Sequence, residues 1–462
     1  MNLSVVILAA GRGKRMRSSI PKVLHEILGR PMLQYSIDAV KALRPEKLVV
    51  VVGNSSKTVS KRINDKNVTF VLQKRLLGTG NALSVARNSL KGPGKDTILA
   101  LNGDCPLITS ATLKTLLKKH RRDGNVLSFL SFIDDSLSGY GRVIRNDNGD
   151  VTGIVEDKHA TSEEKSIFRE LNGGVYIMEP EALDWLGRIR KNSSSGEYYL
   201  TDIVNIISKK RGKVGAYQCA PEEIRGINSR EELHEITMLL NRGNVFKLMK
   251  KGVTFIRPDS SFVHSSVSVG KDTVVYPNTF IEGRTAIGKN CIIFPGTRIY
   301  QSILGDGVTV KDNTLIEESR IRSGSVIGPF AHIRPGSIIG RNVKIGNFVE
   351  VKNTRVGDGS KASHLTYLGD AEIGRDVNIG AGTITCNYDG VDKCKTVIES
   401  GAFIGSDSQL VAPVKIGKRA YVAAGSTITK DVPEGNLSIS RAKQKNLKKW
   451  VARKQSGVKK KN

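Results

Sequence analysis

Short apolar runs alternate with helix-like stretches over the first 230 residues of the chain. Continuous apolar runs of five to seven residues are typical of strands buried on both faces. These runs are Val5–Ala9, Leu48–Val52, Val68–Leu72, Thr97–Leu101 and Val126–Phe132. Between them, stretches such as Met32–Leu43 and Gly80–Leu90 place apolar residues at helical spacing. This order predicts an α/β domain whose mostly parallel sheet has helices on both sides, with ligands bound beyond the carboxyl ends of the strands.

From about residue 267 the apolar pattern changes to a period of six. An aliphatic residue recurs at Val269, Val275, Ile281, Ile287, Ile293 and Ile299, and the series continues with short slips to Ile428. Four positions after most of them comes a small or β-branched residue such as Thr273 or Ser408. Such hexapeptides, three to a coil, predict a left-handed parallel β-helix of about eight coils. An antiparallel sandwich would show turn signals every 8 to 12 residues and a looser period.

Helical spacing over Ser229–Lys251 predicts a connecting helix between these two regions. We therefore expect a Rossmann-like α/β domain over 1–228, a linker helix over 229–251, a β-helix over 252–440 and a basic tail over 441–462. A length of 462 residues accommodates two or three such domains.

The formal net charge of +28 is unevenly distributed. Residues 441–462 include ten basic side chains and no acidic ones, which is typical of a disordered, solvated tail. Residues 1–228 have 36 basic and 23 acidic side chains, a further +13. No recognition module or aromatic stacking platform accompanies this charge, so we do not expect a specific nucleic-acid partner.

Compartment is indicated by three further features. No window approaches 18 consecutive apolar residues, so no membrane span is expected. The apolar N-terminal run has no basic residues before it, so we interpret it as a buried first strand and not as a signal peptide. The five cysteines, Cys105, Cys219, Cys291, Cys386 and Cys394, have no paired spacing, which favours free thiols in a reducing cytoplasm.

A glycine-rich turn follows the first strand, in the string Leu8-Ala9-Ala10-Gly11-Arg12-Gly13-Lys14-Arg15. Its backbone N–H groups can approach phosphate oxygens, and Arg15 and Lys22 add positive charge for a polyphosphate. The spacing is neither the dinucleotide fingerprint nor a P-loop.

Together with further motifs, this string resembles the nucleotidyltransferases that couple a nucleoside triphosphate to a sugar phosphate. The further motifs are Gln73 with Gly78-Thr79-Gly80, Leu101-Asn102-Gly103-Asp104, Gly139-Tyr140-Gly141-Arg142, Glu156, Asn172 and Gly226-Ile227-Asn228. Taken singly, Asp104 could be a helix N-cap and Asn228 a turn residue. The resemblance implies that Gln73, Gly78 and Thr79 read uracil and that Gly141, Glu156 and Asn172 address the sugar. It also implies Mg²⁺ held by Asp104 and Asn228, for which carboxylate and amide oxygens are suitable ligands.

Two places interrupt the hexapeptide rhythm, Lys361–Asp370 and Thr385–Lys395. Interruptions of a solenoid are often its functional loops. His364 lies in the first, and an imidazole that titrates near neutral pH can remove a proton from an attacking amine. A lone histidine is more often structural, but Tyr367 in the same loop, and Arg334 and Lys352 in earlier coils, favour a functional role.

Hexapeptide β-helices resemble the CoA-dependent acyltransferases. The strings from His364 to Asp370 and from Gly380 to Gly390 match the bacterial bifunctional enzymes that join N-acetylglucosamine-1-phosphate uridyltransferase to glucosamine-1-phosphate acetyltransferase. The resemblance extends from Leu3 to Arg441. It implies a homotrimer with His364 as general base, and a role in making a cell-wall precursor. The implied acceptor-binding residues are Arg334, Lys352, Tyr367 and Asn378, and the implied acetyl-CoA contacts are Ala381, Asn387, Tyr388, Ser406, Ala424 and Arg441.

Three positions depart from the family pattern. Leu76 stands where a second Gln is usual, Lys14 where Thr is usual, and Asn81 where His is usual. Thymidine acceptance becomes conceivable, because Leu76 cannot hydrogen-bond a base. We still expect UTP to be preferred to dTTP through Gln73 and the Gly78 loop. An alternative is a nucleotidyltransferase of relaxed base choice, whose β-helix is only a trimerisation scaffold.

Overall fold

A computed structural model of the chain describes residues 2–90, 96–135 and 137–458. It divides into two compact units, Met1–Leu240 and Asn241–Asn462. The division falls inside a helix, Arg230–Met249, in the segment where the sequence predicts a connecting helix. No helix of the described ranges combines the length and apolar character needed to cross a membrane.

The first unit is built on a nine-stranded sheet. Its seven main strands lie side by side in the order Val214–Gln218, Leu127–Ile133, Glu170–Met178, Thr97–Asn102, Leu3–Ala9, Lys47–Val52 and Thr69–Leu72. Neighbours are parallel except around Glu170–Met178, which is antiparallel to both adjacent strands. A hairpin of Arg142–Arg145 and Val151–Val155 completes the sheet, and Glu26–Ile27 pairs separately with Arg30–Pro31. The predicted mostly parallel α/β fold is confirmed.

Helices cover both faces of this sheet because successive strand residues are buried on opposite sides. Val5 and Ile7 pack in one apolar layer with Leu33, and Val6 packs in the other with Leu83. The α-helices are Met32–Lys41, Ser56–Ile63, Thr79–Leu90, Ser110–Asp123, Ser162–Ile167, Pro180–Asp184 and Asp202–Lys209. Short 3-10 helices span Lys14–Met16, Lys22–Leu24, Leu186–Arg188 and Pro221–Ile224.

The second unit is a parallel β-helix whose two- and three-residue strands pair from coil to coil. Two faces form a continuous sheet of 19 strands, and the third face is a sheet of nine. The first two faces contain Thr254–Phe255, Phe262–Val263, Val274–Val275, Phe280–Glu282, Ile292–Ile293, Arg298–Tyr300, Thr309–Val310, Leu315–Glu317, Val326–Ile327, His332–Ile333, Lys344–Lys352, Lys361–Gly369, Asn378–Ile379, Ile384–Cys386, Phe403–Ile404, Gln409–Val411, Tyr421–Val422, Thr427–Ile428 and Leu437–Ser438. The third contains Ser268–Val269, Ala286–Ile287, Ile303–Leu304, Arg320–Ile321, Ile338–Ile339, Arg355–Val356, Ala371–Ile373, Thr396–Ile398 and Val414–Ile416.

The six-residue period corresponds to the inward-facing positions of the β-helix. Ile281, Ile299 and Ile345 are completely buried, and so are small residues predicted four positions after an inward aliphatic residue, such as Thr273 and Thr279. Each fully buried aliphatic side chain contributes about 1.5–3 kcal/mol of transfer free energy. The buried hydroxyls donate to carbonyl oxygens near the turns, as Ser325 does to Gly340 at 2.8 Å. Burial at this period explains why the repeat is so regular.

The tail differs from the predicted disordered end over part of its length. Residues 441–455 are exposed, and Trp450–Val458 forms a helix. Within it the Nζ of Lys454 lies 5.3 Å from the centre of the Trp450 ring, four residues earlier and therefore on the same helix face. The last four residues, 459–462, lie outside the described ranges.

Candidate active sites

The α/β unit has a cleft of about 1040 Å³ at the carboxyl ends of its central strands. All but one of the residues predicted to bind the nucleotide and the sugar line it. They are Leu8, Ala9, Ala10, Gly11, Arg15, Lys22, Gln73, Gly78, Thr79, Asn102, Asp104, Gly141, Glu156, Asn172 and Asn228. Gly103 lies behind the wall, and an added Cβ there would come within 3.0 Å of Leu33 and 3.2 Å of Ala9. The structure therefore assigns Gly103 a packing role.

The glycine-rich turn brings basic side chains to one end of the cleft. Gly13 has a φ of 59°, and a Cβ on it would lie 2.7 Å from the Cβ of Lys22. A larger residue could not be placed there without moving Lys22. Arg12, Lys14 and Arg15 are exposed and line the same end. This concentration of positive charge suits a triphosphate.

Lys22 lies between the two side chains predicted to hold a metal. Its Nζ contacts Oδ2 of Asp104 and lies 2.7 Å from Oδ1 of Asn228. Asp104 follows the strand Thr97–Asn102, and Asn228 precedes the helix Arg230–Met249, so two distant chain segments meet here. Because both oxygens converge on one cationic group, the pair fits a hard divalent cation. Among the described residues no cluster of three or more His, Cys, Asp or Glu could hold a metal.

A buried polar pair lies in the part of the cleft predicted to bind the sugar. Thr201 donates a hydrogen bond to Glu156 at 2.6 Å, and burial raises the pKa of the Glu156 carboxyl. Asn172 donates to the hydroxyl of Tyr176 at 2.7 Å and accepts from the Gly174 N–H at 3.1 Å. These bonds fix the orientation of the Asn172 amide. The region thus presents a carboxyl group and an oriented amide to a polyol.

The loop predicted to read the base is held by backbone hydrogen bonds to Tyr198. The N–H of Gly80 donates to the Tyr198 carbonyl at 2.9 Å, and the N–H of Tyr198 donates to the Leu77 carbonyl at 2.7 Å. Gly78 has a φ of 95°, and a Cβ there would lie 2.6 Å from the Tyr198 carbonyl oxygen. Leu76 lines the cleft, so an apolar side chain occupies this part of the base region.

In the β-helix, His364 lies at a corner of its coil and stacks on Asn347, which occupies the same corner of the preceding coil. The strands Lys344–Lys352 and Lys361–Gly369 pair in parallel, with Asn347 in register with His364. The Nδ1 of His364 and the Oδ1 of Asn347 are 2.5 Å apart. With the amide oxygen of Asn347 facing the ring, His364 donates from Nδ1, and the Nε2 lone pair is available as a base.

The predicted acetyl-CoA contacts continue the same corner along the β-helix. Three backbone hydrogen bonds join successive coils here. The Gly382 N–H donates to the Leu365 carbonyl, the Asp407 N–H to the Ala381 carbonyl, and the Gly425 N–H to the Ser406 carbonyl. One residue of each coil therefore stacks on the last, giving a column of Asn347, His364, Ala381, Ser406 and Ala424. Arg441 closes this column by donating to the Ala424 carbonyl at 2.5 Å. Asn387 and Tyr388 lie on the loop of the second interruption, where Asn387 donates to Asp370.

The predicted acceptor residues lie on both sides of that corner. Arg334 and Lys352 occupy equivalent positions of successive coils after the corner. Tyr367 lies on the same face in the next coil, in register with Glu350 and not with Lys352. Asn378 instead belongs to the strand Asn378–Ile379, which leads into the corner. A single chain thus arranges three of the four residues on one face and the fourth on the adjacent face.

Several side chains near these sites are not predicted by the sequence patterns. Lys393 lies beside Lys352, and its charge lowers the pKa of that lysine. Tyr140 lines the cleft, where it accepts a hydrogen bond from the Gly226 N–H at 3.3 Å and burial raises its pKa to about 12. Tyr140 lies within a quoted motif and Lys393 within the second interruption. Thr201 and Asn347 have no local signal, because each acts on a residue far away in sequence.

Three family models match parts of the chain. Residues 5–135 match the MobA-like NTP transferase domain, residues 242–351 match the EIF2B subunit epsilon LbH domain, and residues 395–430 match the bacterial transferase hexapeptide (six repeats). These matches agree with the α/β fold and the hexapeptide β-helix described above.

Similar curated proteins align along nearly the whole chain. A protein of Thermodesulfovibrio yellowstonii called "Bifunctional protein GlmU" is 49% identical over 454 residues, which cover 98% of this chain and 99% of that one. Proteins of the same name from Alkaliphilus metalliredigens and Clostridium novyi are 46% and 44% identical and cover 99% and 100% of this chain. Both alignments cover 100% of the relative.

Proposed function

This chain belongs to the family of bifunctional GlmU proteins, and we propose that its two sites perform successive steps of UDP-N-acetylglucosamine synthesis. The β-helix transfers an acetyl group from acetyl-CoA to glucosamine 1-phosphate. The α/β unit transfers uridylyl from UTP to N-acetylglucosamine 1-phosphate and releases pyrophosphate. The main support is the convergence of the residues predicted for nucleotide and sugar on one cleft, with Lys22 between Asp104 and Asn228.

In the acetyl-transfer step, His364 acts as the general base. Nε2 removes a proton from the 2-amino group of glucosamine 1-phosphate while the amine nitrogen attacks the thioester carbonyl. A C–N bond forms, the C–S bond breaks, and the proton passes from His364 to the departing CoA thiolate. Asn347 supports this role because its Oδ1 holds the proton on Nδ1.

The acceptor phosphate is bound by Arg334 and Lys352, with Lys393 beside them and Tyr367 next to the sugar. Asn378 completes this site from the adjacent face. Ala381, Asn387, Tyr388, Ser406, Ala424 and Arg441 bind acetyl-CoA along the corner column and the neighbouring loop.

The enzyme is a homotrimer with acetyltransferase sites between neighbouring copies. Phe330, Phe348 and Leu365 form an apolar ladder at the corner beside His364, and they are 50%, 56% and 62% exposed in the single chain. Large exposed apolar side chains in a row favour burial against a partner. The separation of Asn378 from the other acceptor residues supports the same arrangement. A mass of three chains in sedimentation equilibrium is expected, and a monomer would contradict it.

In the uridylyl-transfer step, a phosphate oxygen of the sugar attacks the α-phosphorus of UTP in line. The α–β phosphoanhydride bond breaks and pyrophosphate leaves with the electron pair. Such transfer depends on positioning and charge neutralisation, so no protein nucleophile is required. Lys22, Arg15 and the backbone N–H groups of the Leu8–Gly11 turn neutralise and orient the triphosphate, while Gly141, Glu156 and Asn172 orient the sugar.

We assign the divalent metal of this step as Mg²⁺, which Asp104 and Asn228 would hold. When bound, it would neutralise charge on the phosphate oxygens. The two side-chain oxygens support this assignment, because Mg²⁺ is usually held by few protein ligands together with phosphate and water. The five cysteines are free thiols, which favours the cytoplasm as the compartment.

A coupled assay tests the proposal. The full chain is incubated with glucosamine 1-phosphate, acetyl-CoA, UTP and Mg²⁺, and UDP-N-acetylglucosamine is measured together with free CoA and pyrophosphate. Formation of all three products supports both activities. Nucleotide-sugar formation from N-acetylglucosamine 1-phosphate without CoA release would instead favour a nucleotidyltransferase with a scaffold β-helix.

A further inference from the structure

The side-chain amide of Gln73 is oriented by two acceptors at the edge of the cleft. Gln73 follows the strand Thr69–Leu72, and it is 3% exposed. Its Nε2 donates to the backbone carbonyl of Gly78 at 3.2 Å and to Oδ1 of Asn81 at 2.8 Å. A backbone carbonyl can only accept a hydrogen bond, so the atom facing Gly78 must be the amide nitrogen. The orientation of the amide is therefore determined by chemistry.

These two bonds use both N–H groups of the Gln73 amide, since an NH₂ group has two donors. The remaining polar atom is Oε1, which accepts no hydrogen bond from any residue in the described ranges. Among the described residues, Oε1 is not one of the fully buried polar atoms that lack a hydrogen-bond partner, so it remains accessible. Gln73 lines the cleft, and a ligand there can reach this oxygen. Gln73 can consequently offer a ligand an acceptor and no donor.

Pyrimidine bases differ in what they present to such an acceptor. Uracil and thymine carry a proton on ring nitrogen 3, whereas that nitrogen in cytosine is an acceptor. A cytosine in the same position would place a lone pair against Oε1 and leave both atoms unpaired. Leaving a buried polar group unpaired costs the desolvation free energy of that group with no hydrogen bond in return. Leu76 adds no donor that could compensate.

We propose that Asn81 is a positioning residue that locks Gln73 as a pure acceptor, so that this chain selects N3-protonated pyrimidines and rejects cytosine. This inference rests on the proposed uridylyl transfer and deepens it. Asn81 is one of the three positions at which the chain departs from the family pattern. Here its Oδ1 takes the second N–H of Gln73, which would otherwise be free to donate to a base.

Two substitutions at position 81 separate this role from a general effect on folding. Asn81→Leu has a similar volume and removes the acceptor. It frees one N–H of Gln73, and the ratio of kcat/KM for UTP to that for CTP should fall about tenfold, chiefly through KM. Asn81→Asp keeps an acceptor oxygen and should retain the wild-type ratio. Acetyl transfer by the β-helix unit, assayed on the same samples, should be equal in all three proteins and controls for intact folding.

The results distinguish the inference from its premise. If the ratio of kcat/KM for UTP to kcat/KM for CTP in Asn81→Leu stays within twofold of the wild-type ratio, the proposed role of Asn81 is overturned. The proposed uridylyl transfer from UTP is not contradicted by that result. Equal loss of the ratio in Asn81→Asp and Asn81→Leu would also overturn it, since the acceptor would then not be the cause. If the wild type forms no product from UTP while acetyl transfer proceeds, uridylyl transfer and this inference both fail.

Discussion

The Nζ of Lys22 lies 2.7 Å from the Oδ1 of Asn228, although the two residues are 206 positions apart. The same ammonium contacts Oδ2 of Asp104, and the Lys22 side chain is only 9% exposed. A divalent cation held by Asp104 and Asn228, as proposed above, would compete with this ammonium for the same two oxygens. Lys22 would then be released to contact the phosphates of the proposed substrate UTP.

Lys22→Ala should strengthen metal binding in the absence of nucleotide and weaken uridylyl transfer. A hydrogen bond to a charged group contributes about 1.5–3 kcal/mol, so loss of the competitor should raise affinity about tenfold. Mn²⁺, followed by electron paramagnetic resonance without UTP, gives the affinity directly. Asp104→Ala is the matched control and should weaken both binding and transfer. Weaker Mn²⁺ binding in Lys22→Ala would contradict the competition.

The two activities should be separable by single substitutions. His364→Ala should abolish acetyl transfer and leave uridylyl transfer near the wild-type rate, because the imidazole is the only general base assigned to the first step. Asp104→Ala should do the reverse. Each reaction is assayed alone, with N-acetylglucosamine 1-phosphate supplied for the second. Unchanged acetylation in His364→Ala would show that the imidazole is structural, and loss of both activities in either variant would contradict independent sites.

Uridylyl transfer should lose activity on the acid side as Glu156 is protonated. Burial raises the pKa of Glu156, and the hydrogen bond from Thr201 opposes this by stabilising the carboxylate. Thr201→Val removes that bond, so the pKa rises further and the acid limb of kcat/KM should move to higher pH. Thr201→Ser keeps a hydroxyl and serves as the control. An acid limb at the same pH in wild type and Thr201→Val would rule out this coupling.

The six-residue period predicts the β-helix because it marks the inward-facing side chains, and these buried positions recur in every coil. The residue that stacks on a given side chain depends on the length of each coil. Asn347 and His364 are 17 residues apart, whereas Ile379 and Ile404 pair at a separation of 25. The second interruption accounts for the longer coil. Contacts between coils therefore follow from the register and could not be obtained from the repeat alone.

In the α/β unit the sequence motifs identify residues that line the cleft but not which of these residues contact one another. Lys22, Asp104 and Asn228 are each recognisable in sequence, yet their contact depends on the order of strands in the sheet. The partner of the second Gln73 N–H likewise depends on the position of Asn81 on the following helix. The tail is a further case, since its composition indicates charge but not the helix Trp450–Val458.

Asn347 should prove necessary for acetyl transfer even though it lies outside every motif. In Asn347→Ala the imidazole loses the acceptor that keeps the proton on Nδ1, so a fraction of the molecules will protonate Nε2 and have no base facing the amine. We expect kcat for acetyl transfer to fall about tenfold or more, within the range of general-base effects, with KM for glucosamine 1-phosphate little changed. Asn347→Asp retains an acceptor oxygen and should recover most of kcat, which a purely structural role would not require. Uridylyl transfer in the same preparations controls for folding. If kcat in Asn347→Ala equals that of the wild type, the tautomer of His364 is set by another group.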